Sequence, residues 1–274
     1  MIEAEKVHVN GIDLSVTTAG EGPAVLMLHG FPDSSKLWRH QIPALANAGY
    51  RVIAPDLRGF GDSDRPDGVD SYSLIHVLGD LTALLDHYGV AGAHVVGHDW
   101  GAGTAWVMAS FAPERVETLT VLSVGRFQGA AAGIEQMQKS WYMFMFQFEG
   151  VAEEWITRND WEFFRSWSSR GEGPDTYIAD LSRPGALTAG LNWYRANLPP
   201  ETWVKERIDM PKIEAPTMGI WSTEDVALGE RQMIESERFV EGPWRYERIE
   251  DVGHWIPLEA PDELNRLLLD FLSG

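Results

Sequence analysis

Short apolar runs that alternate with helical stretches, a pattern broken once and then resumed, constrain this chain more than any other feature. Ala24 to Leu28 and Arg51 to Ala54 read as buried strands, separated by a helical stretch from about Ser35 to Ala48. A helix from about Ser73 to Tyr88 precedes a strand at His94 to Val96, a third helix begins near Trp100, and Val116 to Ser123 is again a strand. Such alternation predicts a mostly parallel sheet with helices on both faces. Ahead of it, polar and apolar residues alternate around Asn10-Gly11, a dipeptide suited to the two positive-φ positions of a tight turn, so an antiparallel hairpin should open the chain. From about Arg126 to Met210 the pattern gives way to aromatics and helix formers, with six of the 12 Trp in this stretch. Strand and helix then return with Pro216 to Ser222, a helix from about Leu228, a strand near Tyr246 to Ile249 and a last helix from Pro261 to Leu272. The expected organisation is an α/β core of residues 1–125 and 211–274 interrupted by a helical cap at 126–210.

Composition narrows the partners. The formal net charge of −19 makes nucleic acid and anionic membrane surfaces poor partners, because both need clustered cations. Hydrophobic residues at 44% and charged residues at 23% are those of an ordinary globular protein, and there is no uncharged apolar run long enough to span a bilayer. The first residues carry Glu3 and Glu5 and do not read as a signal peptide, and the chain has no cysteine. These features lead us to expect a cytoplasmic protein; monomer and homodimer both stay open, and no metal or cofactor is expected.

Chemistry concentrates at Gly97-His98-Asp99-Trp100-Gly101, between a predicted strand and a predicted helix. The arrangement small, any, nucleophile, any, small fits a strand-to-helix turn tight enough to leave its middle side chain exposed, and here that side chain is a carboxylate. Alone, Asp99 reads equally well as a helix cap. Other motifs decide the matter, and together they resemble the α/β-hydrolase fold. His29-Gly30-Phe31-Pro32 follows an early strand, where that fold places one backbone N–H of its oxyanion hole, here that of Phe31; the other falls on Trp100, just after the nucleophile. The stretch Asp56 to Pro66, DLRGFGDSDRP, resembles the loop after the next strand. Asp225 follows a later strand and His254 lies in the final loop, in the order nucleophile, acid, base. Of eight histidines, seven lie at or before His98, which leaves His254 as the only one available near the C-terminus. His29 and His98 are expected to pack or hydrogen-bond near the site without transferring protons.

An aspartate in this position changes the reaction. Carboxylate attack on an ester would give an anhydride, so its natural target is a saturated carbon bearing a leaving group. Asp99 would become an alkyl ester, which a water deprotonated by His254 would hydrolyse while Asp225 orients that histidine and the Phe31 and Trp100 N–H groups receive the oxyanion. Two leaving groups suit the machinery. Halide departs unprotonated, whereas an epoxide oxygen must be protonated or strongly hydrogen-bonded as it forms, a task suited to a phenol with pKa about 10.

Over essentially its full length the chain resembles the epoxide hydrolases of the α/β-hydrolase fold. Trp141 to Glu153, WYMFMFQFEGVAE, is similar to the family segment that holds the first ring-opening tyrosine, and Leu191-Asn192-Trp193-Tyr194-Arg195 to the segment that holds the second. The resemblance implies Tyr142 and Tyr194 as proton donors to the epoxide oxygen, and Asp99, Asp225 and His254 as nucleophile, acid and base. Trp100, Trp141, Met145, Phe146 and Trp193 are expected to line the substrate pocket. Tyr177, the other tyrosine of the cap, lacks such a context. With 9 basic and 12 acidic residues between Arg126 and Met210, a hydrophobic and not strongly anionic epoxide is the expected substrate, with water as the second reactant.

Two other functions fit parts of the pattern. A haloalkane dehalogenase shares the aspartate nucleophile and the adjacent Trp, but Phe31 stands where many dehalogenases carry a halide-binding Asn. A small-molecule receptor on the same fold would be expected to lack at least one of the chemical residues, and all five are present.

Overall fold

The computed structural model describes residues 2–126, 133–167, 173–203 and 210–274. Among the described residues one sheet forms from β1 (Ile2–Val9), β2 (Ile12–Ala19), β3 (Ala24–Leu28), β4 (Arg51–Pro55), β5 (Ala93–His98), β6 (Val116–Leu122), β7 (Thr217–Ser222) and β8 (Trp244–Ile249). Their spatial order is β1-β2-β4-β3-β5-β6-β7-β8. β1 and β2 form the expected hairpin, turning on Asn10 at φ 49° and Gly11 at φ 80°. β2 joins β4 antiparallel, and every pairing from β4 onward is parallel. All residues of β3 and β7 are buried, as in parallel strands covered on both faces.

The core helices are α1 (Gln41–Asn47), α2 (Leu74–His87) and α3 (Trp100–Phe111). The stretch predicted as one helix from Ser35 to Ala48 divides into a 3-10 turn, Ser35–Trp38, and α1. Pro43 explains the break: it sits comfortably in the first turn of α1, but a helix running through from Ser35 would need its missing N–H to reach the Arg39 carbonyl. Between β6 and β7 come α4 (Gly133–Lys139), α5 (Trp141–Phe146), α6 (Val151–Trp167), α7 (Pro174–Leu181) and α8 (Ala186–Asn197). The backbone of α6 leaves helical geometry from Arg158 to Trp161. This is the stretch expected to form a cap; its residues 127–132, 168–172 and 204–209 lie outside those described. After β7 come α9 (Glu230–Ile234), α10 (Ile256–Glu259) and α11 (Pro261–Leu272), so the helix predicted from Leu228 is a single short turn that continues as a 3-10 segment, Glu235–Phe239. Among the described residues no helix is long and apolar enough to cross a membrane.

β3 pairs with β4 on one side and β5 on the other. The chain therefore reverses its direction of travel across the sheet between β3 and β5, which opens a crevice above their C-terminal ends, where ligands of open α/β sheets bind. Phe31 follows β3, Asp99 follows β5, Asp225 follows β7 and His254 follows β8, so all four project from the same edge of the sheet.

Candidate active site

Asp99 joins β5 to α3 with φ 52° and ψ −122°, a conformation that non-glycine residues rarely adopt. The glycines around it allow that turn because backbone passes directly over them. A Cβ on Gly97 would stand 2.3 Å from the Gly101 carbonyl oxygen, and one on Gly101 would stand 2.0 Å from that of Leu28. On the facing loop a Cβ on Gly30 would meet the Asp99 carboxylate at 2.2 Å and the Trp100 nitrogen at 2.6 Å. The two loops thus close on each other only through small residues. Asp99 is 8% exposed, and its Oδ1 accepts the Phe31 N–H at 2.8 Å. Trp100 opens α3, so its N–H has no acceptor within the helix.

His254 and Asp225 complete the arrangement. The Nδ1 of His254 lies 2.9 Å from Asp225 Oδ2, and its Nε2 lies 3.7 Å from Asp99 Oδ2, a charge contact slightly too long for a hydrogen bond. Asp225 Oδ1 accepts the N–H groups of Ala227 and Leu228, each at 2.8 Å. The loop carrying His254 is held by Glu259, whose carboxylate accepts the N–H groups of Gly253 and Trp255, and by Ser222, which donates to the Gly253 carbonyl. Burial opposes the charge on His254, but the Asp225 charge and hydrogen bond, with Asp99 beyond them, more than reverse this and raise its pKa to about 10. Burial likewise works against ionised Asp225, yet the charge and hydrogen bond of His254 and the two N–H groups carry its pKa below the usual value. At neutral pH the imidazole between the two carboxylates is a cation.

The other two histidines near the site are neutral. His29 accepts the Leu57 N–H at Nε2, which leaves Nδ1–H to donate to the Gly30 carbonyl, and burial lowers its pKa. His98 donates from Nε2 to the His254 carbonyl at 2.8 Å; burial, then the charge of His254, takes its pKa down to about 4. Both hold backbone near the site.

Tyr142, on α5, and Tyr194, on α8, are each 1% exposed, with ring centroids 6.2 Å apart. The ring of Tyr194 packs edge-on against Trp100 and Phe146, each at 5.0 Å, and against Phe31 at 5.7 Å. Burial, then the charges of Asp99 and Asp225, holds the Tyr142 hydroxyl well above its ordinary pKa. For Tyr194 the causes are burial, Asp99 and Tyr142, partly offset by a hydrogen bond with Trp100. Both phenols therefore remain protonated, and both feel the negative charge of Asp99.

The side chains expected to line the pocket divide into two groups. Trp100 and Phe146 surround Tyr194, and Trp193 packs behind Trp100 at 5.7 Å while its indole N–H donates to the Arg58 carbonyl. Trp141 is 50% exposed and packs against Trp155 and Phe163, and Met145 is half-buried. The phase of α5 is the reason: Tyr142 and Phe146, four residues apart, share its inner face, which turns Trp141 outward.

Two residues beside the site are not singled out by the sequence. Asp33 is 6% exposed, and its Oδ2 accepts the Trp255 indole N–H at 3.0 Å. Burial raises its pKa to about 7, opposed by Trp255, with the Asp99 charge adding to the rise and Tyr177 and His254 lowering it. Tyr177 is buried and stacks on Trp255 at 6.0 Å. Asp33 follows the His29-Gly30-Phe31-Pro32 segment directly and is legible there only as a loop carboxylate. Among the described residues no group of three or more His, Asp or Glu is placed to hold a metal ion.

Residues 23–261 match the alpha/beta hydrolase fold family. Epoxide hydrolase A of Mycobacterium tuberculosis is 33% identical over 98% of this chain and 96% of its own length. The AB hydrolase superfamily protein YfhM of Bacillus subtilis is 35% identical over 100% of this chain and 99% of its own. Among solved structures, epoxide hydrolase VrEH1 from Vigna radiata superposes with a TM-score of 0.84 at 33% identity, covering 99% of this chain and 98% of that one.

Proposed function

Because this chain belongs to the epoxide hydrolases of the alpha/beta hydrolase fold, we propose that it converts a hydrophobic epoxide and water to a vicinal diol through an alkyl ester on Asp99. Residues 126–210 act in this reading as the cap that carries the two phenols. What supports the reading most is the placement of two buried, protonated tyrosines that both feel the Asp99 charge, beside a His–Asp pair that reaches the same carboxylate. A halide would leave without a proton, so this pair of phenols favours an epoxide over a haloalkane.

The protons balance if the resting histidine is a cation. The Asp99 carboxylate attacks an epoxide carbon, the C–O bond breaks, and Tyr142 or Tyr194 gives its proton to the departing oxygen. Esterification removes the negative charge that Asp99 presents to His254, so the pKa of the histidine falls. His254 then returns a proton to the tyrosinate through solvent and becomes neutral. In the second step neutral His254 takes a proton from water, and the oxygen attacks the Asp99 carbonyl. The resulting oxyanion is received by the Phe31 and Trp100 N–H groups, and its collapse releases the diol and restores both the carboxylate and the imidazolium. The sum is one epoxide and one water to one diol.

One turnover with excess enzyme in ¹⁸O-labelled water tests this. Label is expected in Asp99 and not in the diol, because the diol takes its new oxygen from the unlabelled carboxylate. Label in the diol of that first cycle would mean that water attacks the epoxide directly. Release of halide from haloalkanes with no diol from any epoxide would instead make the chain a dehalogenase.

A further inference from the structure

The catalytic acid does not stand on its own loop unaided. Side chains of α4 reach across to the backbone of residues 225–229 and hold it at three points. Lys139 donates from Nζ to the Asp225 carbonyl at 2.6 Å. Gln136, 6% exposed, donates from Nε2 to the Ala227 carbonyl at 2.8 Å and accepts the Gly229 N–H on Oε1, also at 2.8 Å. The same Nε2 donates to Ser140 Oγ at 2.8 Å, and the Leu228 carbonyl accepts the Trp221 indole N–H at 3.1 Å.

The connectivity matters more than the number of bonds. The Ala227 carbonyl and the Leu228 N–H belong to one peptide unit. Gln136 donates to one end of that peptide, and the other end donates to Asp225 Oδ1. The next peptide, Leu228 to Gly229, is held at its carbonyl by Trp221 and at its N–H by Gln136. One buried amide therefore fixes the planes of two consecutive peptides, and the first of them is polarised along a chain of hydrogen bonds that ends on the carboxylate. With Oδ1 held in this way, Oδ2 is aimed at His254 Nδ1.

We propose that Gln136 is a positioning residue for the hydrolytic half of the reaction: from α4 it sets the peptides that fix Asp225, and so the orientation of His254, without touching the reacting atoms. The proposal rests on the covalent reading above. Alkylation needs Asp99 and a phenol and does not use His254 as a base, whereas ester hydrolysis needs His254 correctly oriented to take a proton from water. The two half-reactions should therefore respond differently to a change at Gln136.

The test is a rapid-quench, single-turnover experiment with an aryl epoxide, following the covalent adduct by intact mass and the diol by chromatography. Gln136→Met keeps the side-chain length and removes both hydrogen-bonding ends, and Gln136→Glu keeps the acceptor for Gly229 while losing the donor to Ala227. Both are expected to slow ester hydrolysis at least about tenfold, to accumulate adduct, and to leave the alkylation rate within about twofold of wild type. If Gln136→Met does not fold, Gln136→Glu carries the test. Equal slowing of both half-reactions, or no slowing of either, overturns the proposal. His254→Gln, run alongside, must accumulate adduct; if it does not while the wild type turns over, it is the covalent reading that has failed.

Discussion

Asp33 is a carboxyl group held beside another carboxylate in a dry environment, and its protonation should be visible in stability. Its pKa is about 7 in the folded protein against an ordinary 3.8, so between these values the folded chain binds more protons than the unfolded one. Stability contributed through this group therefore falls as pH rises across that window. Asp33→Asn keeps an oxygen to accept the Trp255 N–H and removes the charge. It is expected to stabilise the fold by up to about 4 kcal/mol at about pH 8, with the gain shrinking toward zero near pH 4, as thermal melts across pH would show. A gain that does not vary with pH would mean that packing is responsible. The phenols make a kinetic prediction at the same scale. Tyr142→Phe combined with Tyr194→Phe should slow adduct formation at least about a hundredfold, and hydrolysis of preformed adduct far less, because in the proposed mechanism only ring opening needs their protons. Unchanged adduct formation would remove the tyrosines from the mechanism. Asp99 and His254 could be read from the chain because a tight turn and a late, isolated histidine leave local marks. The environment of Asp33 could not, since Trp255 and Tyr177 reach it from distant parts of the sequence.

The turn between β5 and α3 is the element on which the site depends, and two glycines at the start of α3 should respond in opposite directions. A Cβ on Gly101 would lie 2.0 Å from backbone at Leu28, where neither side can give way cheaply, whereas a Cβ on Gly103 meets nothing within 4 Å. Gly101→Ala is thus expected to cost about 3 kcal/mol, the upper end of ordinary overpacking, or to prevent folding. Gly103→Ala, inside the same helix, should add about 0.5–1 kcal/mol because alanine is the better helix former. Denaturant titration of the two variants checks both values, and similar effects from both would contradict the close approach of β3 to α3. Strands and helices of the core were readable because their hydrophobic periods differ and the turns between them carry glycine or proline. The inner face of α5 was not. WYMFMF is apolar at every position, so the sequence offers no contrast from which to choose a phase, and only packing against α8 selects Tyr142 and Phe146 over Trp141.

Charge acts on the molecule as a whole. The chain carries a net charge of −19, and the site holds two carboxylates and one cationic histidine, so an anionic substrate is expected to be repelled both on approach and at Asp99. A neutral epoxide meets neither barrier, and the aromatic surroundings of Tyr194 offer it apolar surface. The two contributions can be separated, because salt screens the long-range field over about 10 Å at 0.1 M and leaves buried contacts almost untouched. For a neutral aryl epoxide kcat/KM should stay level as NaCl rises from about 0.02 M to about 0.5 M, whereas for an aryl epoxide bearing a carboxylate it should begin lower and climb about threefold to tenfold. A low value for the anionic substrate that does not rise with salt would place the whole penalty at the buried carboxylates. Equal values for the two substrates at low salt would show that the acidic surface lies away from the route by which substrate enters.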